Sequence, residues 1–324
     1  MHMKTFPTPV LTRDDVPAIC RELTDVTSVF NPGAAVWKGR EWLMLRVQDR
    51  GRRSWLVPAE RRGDGSMQVL AHAAKIRGLE KRPEQIFHVY DPRLTVLEGE
   101  LMMVAAVDTD AGCRLVTSRC VSNDLSEFEM VGFDASGDRR NGVLFPEKIG
   151  GRYVRLERPN GMSLEGGPTS GDAICLATSD DLEHWELEKT VMSGRWHYWD
   201  ERIGSGPPPV RLDDSLGGGW LHLYHGIATH FAGCNVYQGG VTVLDRDDPG
   251  KVVARSPMNV LEPRQPWEFM GQVPNVVFPS GMVVEADASG RIGSDAKVRV
   301  YYGAADTVVG MAEATVGQLV AECE

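Results

Sequence analysis

Asp91-Pro92-Arg93-Leu94-Thr95-Val96-Leu97-Glu98-Gly99-Glu100-Leu101-Met102-Met103-Val104-Ala105-Ala106-Val107 decides the architecture. Two apolar runs of strand length meet at Gly99, and an Asp-Pro step opens the first, so the stretch reads as a β-hairpin. The same shape returns as Asn31-Pro32-Gly33-Ala34-Ala35-Val36 ahead of Gly39-Arg40-Glu41-Trp42-Leu43-Met44-Leu45-Arg46-Val47. It returns again as Asn141-Gly142-Val143-Leu144-Phe145-Pro146 ahead of Gly151-Arg152-Tyr153-Val154-Arg155-Leu156-Glu157-Arg158. A fourth copy joins Gly206-Pro207-Pro208-Pro209-Val210 to Gly219-Trp220-Leu221-His222-Leu223-Tyr224-His225-Gly226. The fifth joins Asn275-Val276-Val277-Phe278-Pro279 to Lys297-Val298-Arg299-Val300-Tyr301-Tyr302-Gly303, with a polar lead-in instead of glycine. Hairpins near 31–47, 91–107, 141–158, 206–226 and 275–303 recur at intervals of roughly 50–80 residues, as propeller blades do.

The outer part of the unit also repeats. Ser122-Asn123-Asp124-Leu125-Ser126-Glu127-Phe128 matches Ser179-Asp180-Asp181-Leu182-Glu183-His184-Trp185, each after an apolar strand, where a third strand would turn into a fourth. Helix signals are thin: Asp14 to Leu23, and Gln68 to Leu79 with Ser66 as its cap. No GxGxxG or GxxxxGK[ST] loop is present, which speaks against a doubly wound nucleotide-binding fold. The expectation is an all-β protein, a five-bladed β-propeller forming a single domain over 1–324.

Composition narrows the partners. The chain carries 35 Lys+Arg against 45 Asp+Glu, a formal charge of -10, which argues against a general nucleic-acid or anionic-membrane binder. No uncharged apolar stretch reaches membrane-spanning length and no signal-peptide pattern opens the chain, so a cytoplasmic protein is expected. Six scattered cysteines without CxxC spacing read as reduced, mostly packed thiols, and no metal site is expected.

In a propeller the inner strands line a central channel, and residues at their entry ends converge. Aligning the hairpins places Asn31, Asp91, Asn141, Gly206 and Asn275 at equivalent positions, with Arg46, Ala106, Arg158, His225 and Asp306 near the same rim. Asn and Asp beside Pro often do no more than shape turns, but the set repeats in register. Arg46, Arg52, Arg53, Arg139, Arg140, Arg158 and Arg202 fall at or near that rim. Arginines gathered on an acidic chain point to a small anion, since the guanidinium fork matches phosphate or carboxylate. Tyr90, Phe231, Tyr237 and the segment Trp196-His197-Tyr198-Trp199-Asp200-Glu201 bring aromatic rings to the rim loops and are candidate stacking surfaces for a ligand. Trp42, Trp220, Trp185 and Trp267 read as core or blade packing.

From Asn31 to Asp306 the motifs, in order, resemble glycoside hydrolase family 130, the β-mannoside phosphorylases. The resemblance rests on Tyr90-Asp91-Pro92-Arg93, Arg140-Asn141-Gly142-Val143-Leu144-Phe145-Pro146-Glu147-Lys148-Ile149, Glu157-Arg158-Pro159 and Arg202-Ile203-Gly204-Ser205-Gly206-Pro207-Pro208. It continues through Trp220–Gly226, Gly271-Gln272-Val273-Pro274-Asn275-Val276-Val277-Phe278-Pro279 and Tyr301-Tyr302-Gly303-Ala304-Ala305-Asp306-Thr307. It implies a five-bladed propeller, Asp91 as proton donor, and a phosphate site of Arg140, Arg158, Arg202 and Tyr237. It further implies a mannosyl site of Tyr90, Asn141 and Asp306, with Asn31, Arg46, Arg52 and His225 as further pocket residues. Position 202 is Arg where the family pattern has Lys, and Pro32 follows Asn31 where some members carry Ser.

Chemistry favours the same reading. An inverting hydrolase needs a second carboxylate about 6.5–9.5 Å from its acid to activate water. Phosphate is already an anion and needs cations rather than a base. One acid beside an arginine cluster therefore fits phosphorolysis of a β-mannosyl disaccharide or short oligosaccharide, with inorganic phosphate as co-substrate and no cofactor. Asp91 would need a raised pKa or a relay through a substrate hydroxyl. The alternatives are an inverting β-mannosidase on the same scaffold and a non-catalytic sugar-binding propeller; a homo-oligomer is left open.

Overall fold

The computed structural model describes residues 2–135, 137–160, 171–230, 233–287 and 290–323. Five antiparallel sheets follow one another along the chain. Blade I holds Ser28–Trp37, Arg40–Gln48, Ser54–Arg61 and Met67–Val69. Blade II holds Ile86–Leu97, Glu100–Thr109, Gly112–Cys120 and Glu127–Phe133, with Lys75–Arg77 added in parallel on its outer edge. Blade III holds Arg139–Leu144, Tyr153–Pro159, Ala173–Ser179 and Glu186–Ser193. The inner strand of blade IV is split into Arg202–Ser205 and Val210–Arg211 by Gly206 and three prolines; both halves pair with Trp220–Ala228, followed by Val236–Leu244 and Val252–Arg255. Blade V holds Val277–Val284, Lys297–Ala304 and Val308–Thr315. The N-terminal strand Lys4–Thr5 pairs with the last of these and closes the ring.

The blades stack because their second strands are apolar on both faces. In blade I, Trp42 and Met44 pack toward Leu101, Met103 and Phe128 of blade II, whereas Leu43 and Leu45 pack toward Tyr301, Val309 and Met311 of blade V. In blade II the alternation repeats: Met102 and Val104 face Leu144 and Leu182 of blade III. A strand sandwiched between two sheets buries both of its period-2 faces, so it reads as a continuous apolar run. Trp42 and Trp220 are fully buried, as expected, and Trp185 and Trp267 pack against Arg155 and Tyr302.

At the axis the inner strands approach closely. A Cβ on Gly33 would sit 2.7 Å from the Pro92 carbonyl oxygen, and one on Gly281 would sit 2.8 Å from that of Pro32. Only glycine allows one blade's backbone to pass the next at this radius.

Two helix expectations fail. Asp14 to Leu23 forms only the single 3-10 turns Arg13–Asp15 and Arg21–Leu23. Gln68 to Leu79 is not helical: Met67–Val69 is the fourth strand of blade I and Lys75–Arg77 belongs to blade II. Sheet edges needing partners override a weak helical spacing. The Ser-Asp-Leu repeat does turn third strands into fourth ones, with Leu125 and Leu182 both at positive φ (60° and 66°).

Candidate active site

Three inner strands carry the same irregularity. The register slips between Phe30 and Gly33, between Tyr90 and Arg93, and between Arg140 and Val143. Each slip is a β-bulge whose first residue is left-handed: Asn31 (φ 44°), Asp91 (51°) and Asn141 (53°). Asn and Asp tolerate that conformation better than other side chains, and a bulge re-aims the side chain it carries. The repeated Asn/Asp positions are therefore bulge residues, and all three line one cavity of about 300 Å3 at the axis.

Blades IV and V depart from this alignment. Gly206 lies outside the paired inner strand, and the slip in blade V falls at Pro279 to Gly281, beyond Asn275. Asn275 does take positive φ (61°), and its carbonyl accepts from the Tyr237 N–H at 2.9 Å, fixing that tyrosine at the cavity wall. The expected equivalence of Gly206 and Asn275 with Asn31, Asp91 and Asn141 is thus corrected.

The cavity gathers Asn31, Arg46, Tyr90, Asp91, Arg140, Asn141, Arg158, His225, Tyr237 and Asp306 from all five blades. Two expected residues do not line it. Arg52 sits at φ 67° in the exposed turn after Gln48, where its carbonyl meets the Gln48 amide. Arg202, half-buried at the start of blade IV, lies within electrostatic reach of Tyr237, and its Nε is buried without a partner. Of the expected aromatic surfaces, Phe231 lies outside the described residues. Trp196 and Tyr198 are exposed away from the cavity lining. Trp199 stacks on Tyr224, and Asp200 is buried against Arg195, Arg255 and the Tyr224 hydroxyl, so both are structural.

Around Asp91 the contacts are dense. Its Oδ1 accepts from Asn31 Nδ2 and from Arg46 Nη1, each at 2.9 Å. The Arg46 guanidinium lies 4.6 Å from the ring centres of both Phe30 and Tyr90. Below, Arg93 crosses the channel: its Nε donates to Gly206 of blade IV at 2.7 Å, and Nη1 donates to the Asp91 and Pro92 carbonyls at 3.1 and 3.2 Å. Burial pushes the Asp91 carboxyl up, but Arg46, Arg93 and the Asn31 amide outweigh it and hold the group below its ordinary value. Asp306 goes the other way, to about 6, because burial and the nearby Asp91 charge prevail over Arg46. His225 is held neutral by burial and by Arg158 and Arg93.

On the other side lie the cations. Arg140 has one distant counter-ion, Asp108 at 3.7 Å. Among the described residues Arg158 and Arg202 have no carboxylate within ion-pair distance, and the Nε atoms of all three arginines are buried without partners. Burial and the Arg140 charge depress the basicity of Arg158. Like charges gathered on one half-buried wall, with a single carboxylate near them, call for an anion.

Of the remaining lining residues, Asp108 carried no signal in the sequence, and Val273, Val276 and Phe278 belong to the motif over 271–279 with no role of their own expected. Phe278 packs 4.5 Å from the His225 ring and faces Arg93. Asp108 accepts from the Tyr90 hydroxyl at 2.8 Å.

Comparison with known proteins fits this geometry. The sequence profile of glycoside hydrolase family 130, described as beta-1,4-mannooligosaccharide phosphorylase, matches residues 9–324. The chain is 30% identical to the Beta-1,4-mannooligosaccharide phosphorylase of Ruminococcus albus over 320 residues, covering 96% of this chain and 88% of that one. It is 36% identical to a Beta-1,2-mannobiose phosphorylase of Thermoanaerobacter sp. over 237 residues, covering 71% and 68%. The fold matches the Beta-1,2-Mannobiose phosphorylase of Listeria innocua, solved with beta-1,2-mannobiose, at a TM-score of 0.81 and 22% identity over 100% of this chain and 99% of that one. With its matched length, its five blades and its cavity motifs in order, the chain belongs to glycoside hydrolase family 130.

Proposed function

We propose that the cavity carries out inverting phosphorolysis of a β-mannoside, converting a β-mannosyl disaccharide or short oligosaccharide and inorganic phosphate into α-mannose 1-phosphate and the shortened sugar. One observation carries the reading: Arg140 and Arg158 line the same cavity as Asp91, Arg202 lies close behind its Tyr237 wall, and the Nε atoms of all three arginines are buried without partners. The relatives' phosphorylase activities supply the sugar class.

In this reading Arg140, Arg158, Arg202 and the Tyr237 hydroxyl hold phosphate in line with the anomeric carbon. Tyr90, Asn141 and Asp306 meet the mannosyl ring, with Asn31, Arg46 and His225 behind them. Asp91 delivers a proton to the leaving oxygen, through a ring hydroxyl that stands between them. Protons balance without a second base: hydrogen phosphate brings one, the new phosphate ester carries none, and the departing alcohol gains one. The ligand-free site keeps Asp91 ionised. An incoming phosphate dianion opposes that charge and offers the proton, so Asp91 becomes an acid only when its co-substrate is present.

The test is a panel of β-mannosyl disaccharides incubated with and without inorganic phosphate, following mannose 1-phosphate. Phosphate-dependent product on at least one of them is expected, and its loss in Asp91→Asn. Mannose release that ignores phosphate, or no turnover on any disaccharide, overturns the reading.

A further inference from the structure

Asp108 is the one lining carboxylate that none of the cavity motifs contains, and its position is set by a missing side chain. The second strands place Arg46 opposite Phe30 in blade I and Arg158 opposite Arg140 in blade III. Blade II has Ala106 at that place, opposite Tyr90. Ala106 leaves room above the bulge, and Asp108, two residues further on and so on the same face of the strand, lines the cavity there. It is half-buried, its carboxylate accepts from the Tyr90 hydroxyl at 2.8 Å, and it stands 3.7 Å from Arg140 Nη2.

We propose that Asp108 is a positioning residue that ties Tyr90 on the sugar side to Arg140 on the phosphate side, fixing the guanidinium for the anion. This rests on the phosphorolytic reading above. Tyr90 and Arg140 come from different blades, and Arg140 also lies 5.9 Å from the Tyr90 ring centre, so Asp108 closes a three-membered contact between them. The Tyr90 hydroxyl further meets the Cys113 thiol at 3.5 Å, which leaves little freedom for the ring.

Charge gives the same result. Arg140 and Arg158 face each other across paired strands with Arg202 nearby. Among the described residues Asp108 is the only carboxylate that pairs with any of the three. It offsets the repulsion that would drive Arg140 outward, yet at 3.7 Å it does not saturate the guanidinium. Arg140 therefore keeps donors free for an incoming anion, and the cluster retains an excess matched to hydrogen phosphate.

The experiment measures initial rates against both substrates for the wild type, Asp108→Asn and Asp108→Glu, with melting in 0 and saturating inorganic phosphate. Charge alone predicts that removing an acid beside the phosphate site tightens phosphate binding. Positioning predicts the opposite. In Asp108→Asn the KM for phosphate should rise roughly five- to twentyfold and the phosphate-induced gain in melting temperature should shrink, while Asp108→Glu recovers at least half of the loss. A phosphate KM within twofold of the wild type, or lower, overturns the proposal. A fall in melting temperature with the phosphate KM unchanged assigns Asp108 to stability alone and also overturns it. Absence of phosphate-dependent turnover in the wild type defeats the phosphorolytic reading instead, and the phosphate-dependent melting still decides whether Asp108 orders an anion site.

Discussion

Arg46 reaches across from blade I to Asp91 of blade II, 2.9 Å from its carboxylate, and its guanidinium is packed between the rings of Phe30 and Tyr90. Both partners are mostly buried, at 18% and 13% side-chain exposure, so the pair is shielded and its geometry is fixed by stacking. Arg46 also lowers Asp306, which makes one cation the reference charge for both acids.

Replacing Arg46 with Met leaves a buried carboxylate without its principal counter-charge, at a cost of about 2–4 kcal/mol near pH 7. The sign follows from the depressed pKa of Asp91: the stabilisation is present above the ordinary carboxylate range and is lost as pH falls through the folded value. Melting curves of wild type and Arg46→Met should thus be furthest apart at neutral pH and converge only as pH falls below the ordinary carboxylate value of 3.8 toward the lower folded one. A gap that widens in acid contradicts the pairing.

Asp306 has the opposite linkage. Its folded pKa of about 6 exceeds its ordinary value of 3.8, so the native state binds its proton more tightly than the unfolded chain does. Stability from this group is complete in acid and is lost as pH rises through about 6. Asp306→Asn removes that loss and should raise stability above pH 7 by up to ~3 kcal/mol, with no gain below pH 4, while impairing turnover. Melting temperatures at pH 4 and pH 7.5 check it; equal shifts at the two pH values would rule out the raised pKa.

The legibility of the chain has a physical pattern. Leu101 to Val107 could be read as a blade strand because stacking buries both of its faces. Asn31, Asp91 and Asn141 could be aligned because a left-handed bulge selects those residue types. Gln68 to Leu79 misled because two short edge strands from different blades, joined by a brief link, space their apolar residues like a helix. Asp108 stayed hidden because its place depends on the smallness of Ala106 and on a neighbouring blade's arginine, neither of which is local. Trp199 and Asp200 looked like binding residues because a buried ion cluster uses the same residue types as a sugar site.

Gly303 supports the acid from behind. A Cβ there would collide with the Asn31 side-chain oxygen and sit 2.8 Å from the Asn31 backbone nitrogen, which cannot yield without moving the bulge. Gly303→Ala should cost about 1–3 kcal/mol in stability and displace the Asn31 amide from Asp91. The acid limb of the kcat profile should then move to higher pH, since one donor to the carboxylate is weakened. An unchanged profile in a folded variant would show that Asn31 does not set the charge of Asp91.

Arg158 offers the clearest separation of stability from function. Without phosphate it adds a buried positive charge beside Arg140, and its lowered basicity reflects that strain. Arg158→Gln should therefore melt at or above the wild-type temperature in phosphate-free buffer. A charge-assisted contact to phosphate is worth about 1.5–3 kcal/mol, so kcat/KM for phosphate should fall by roughly 10- to 200-fold. The phosphate-induced rise in melting temperature should shrink with it, while the KM for the mannoside changes little. The pairing of a calmer apo protein with a crippled phosphate site is specific to a cation kept for a ligand. If Arg158→Gln instead melts lower and still gains fully from phosphate, the arginine holds the fold rather than the anion.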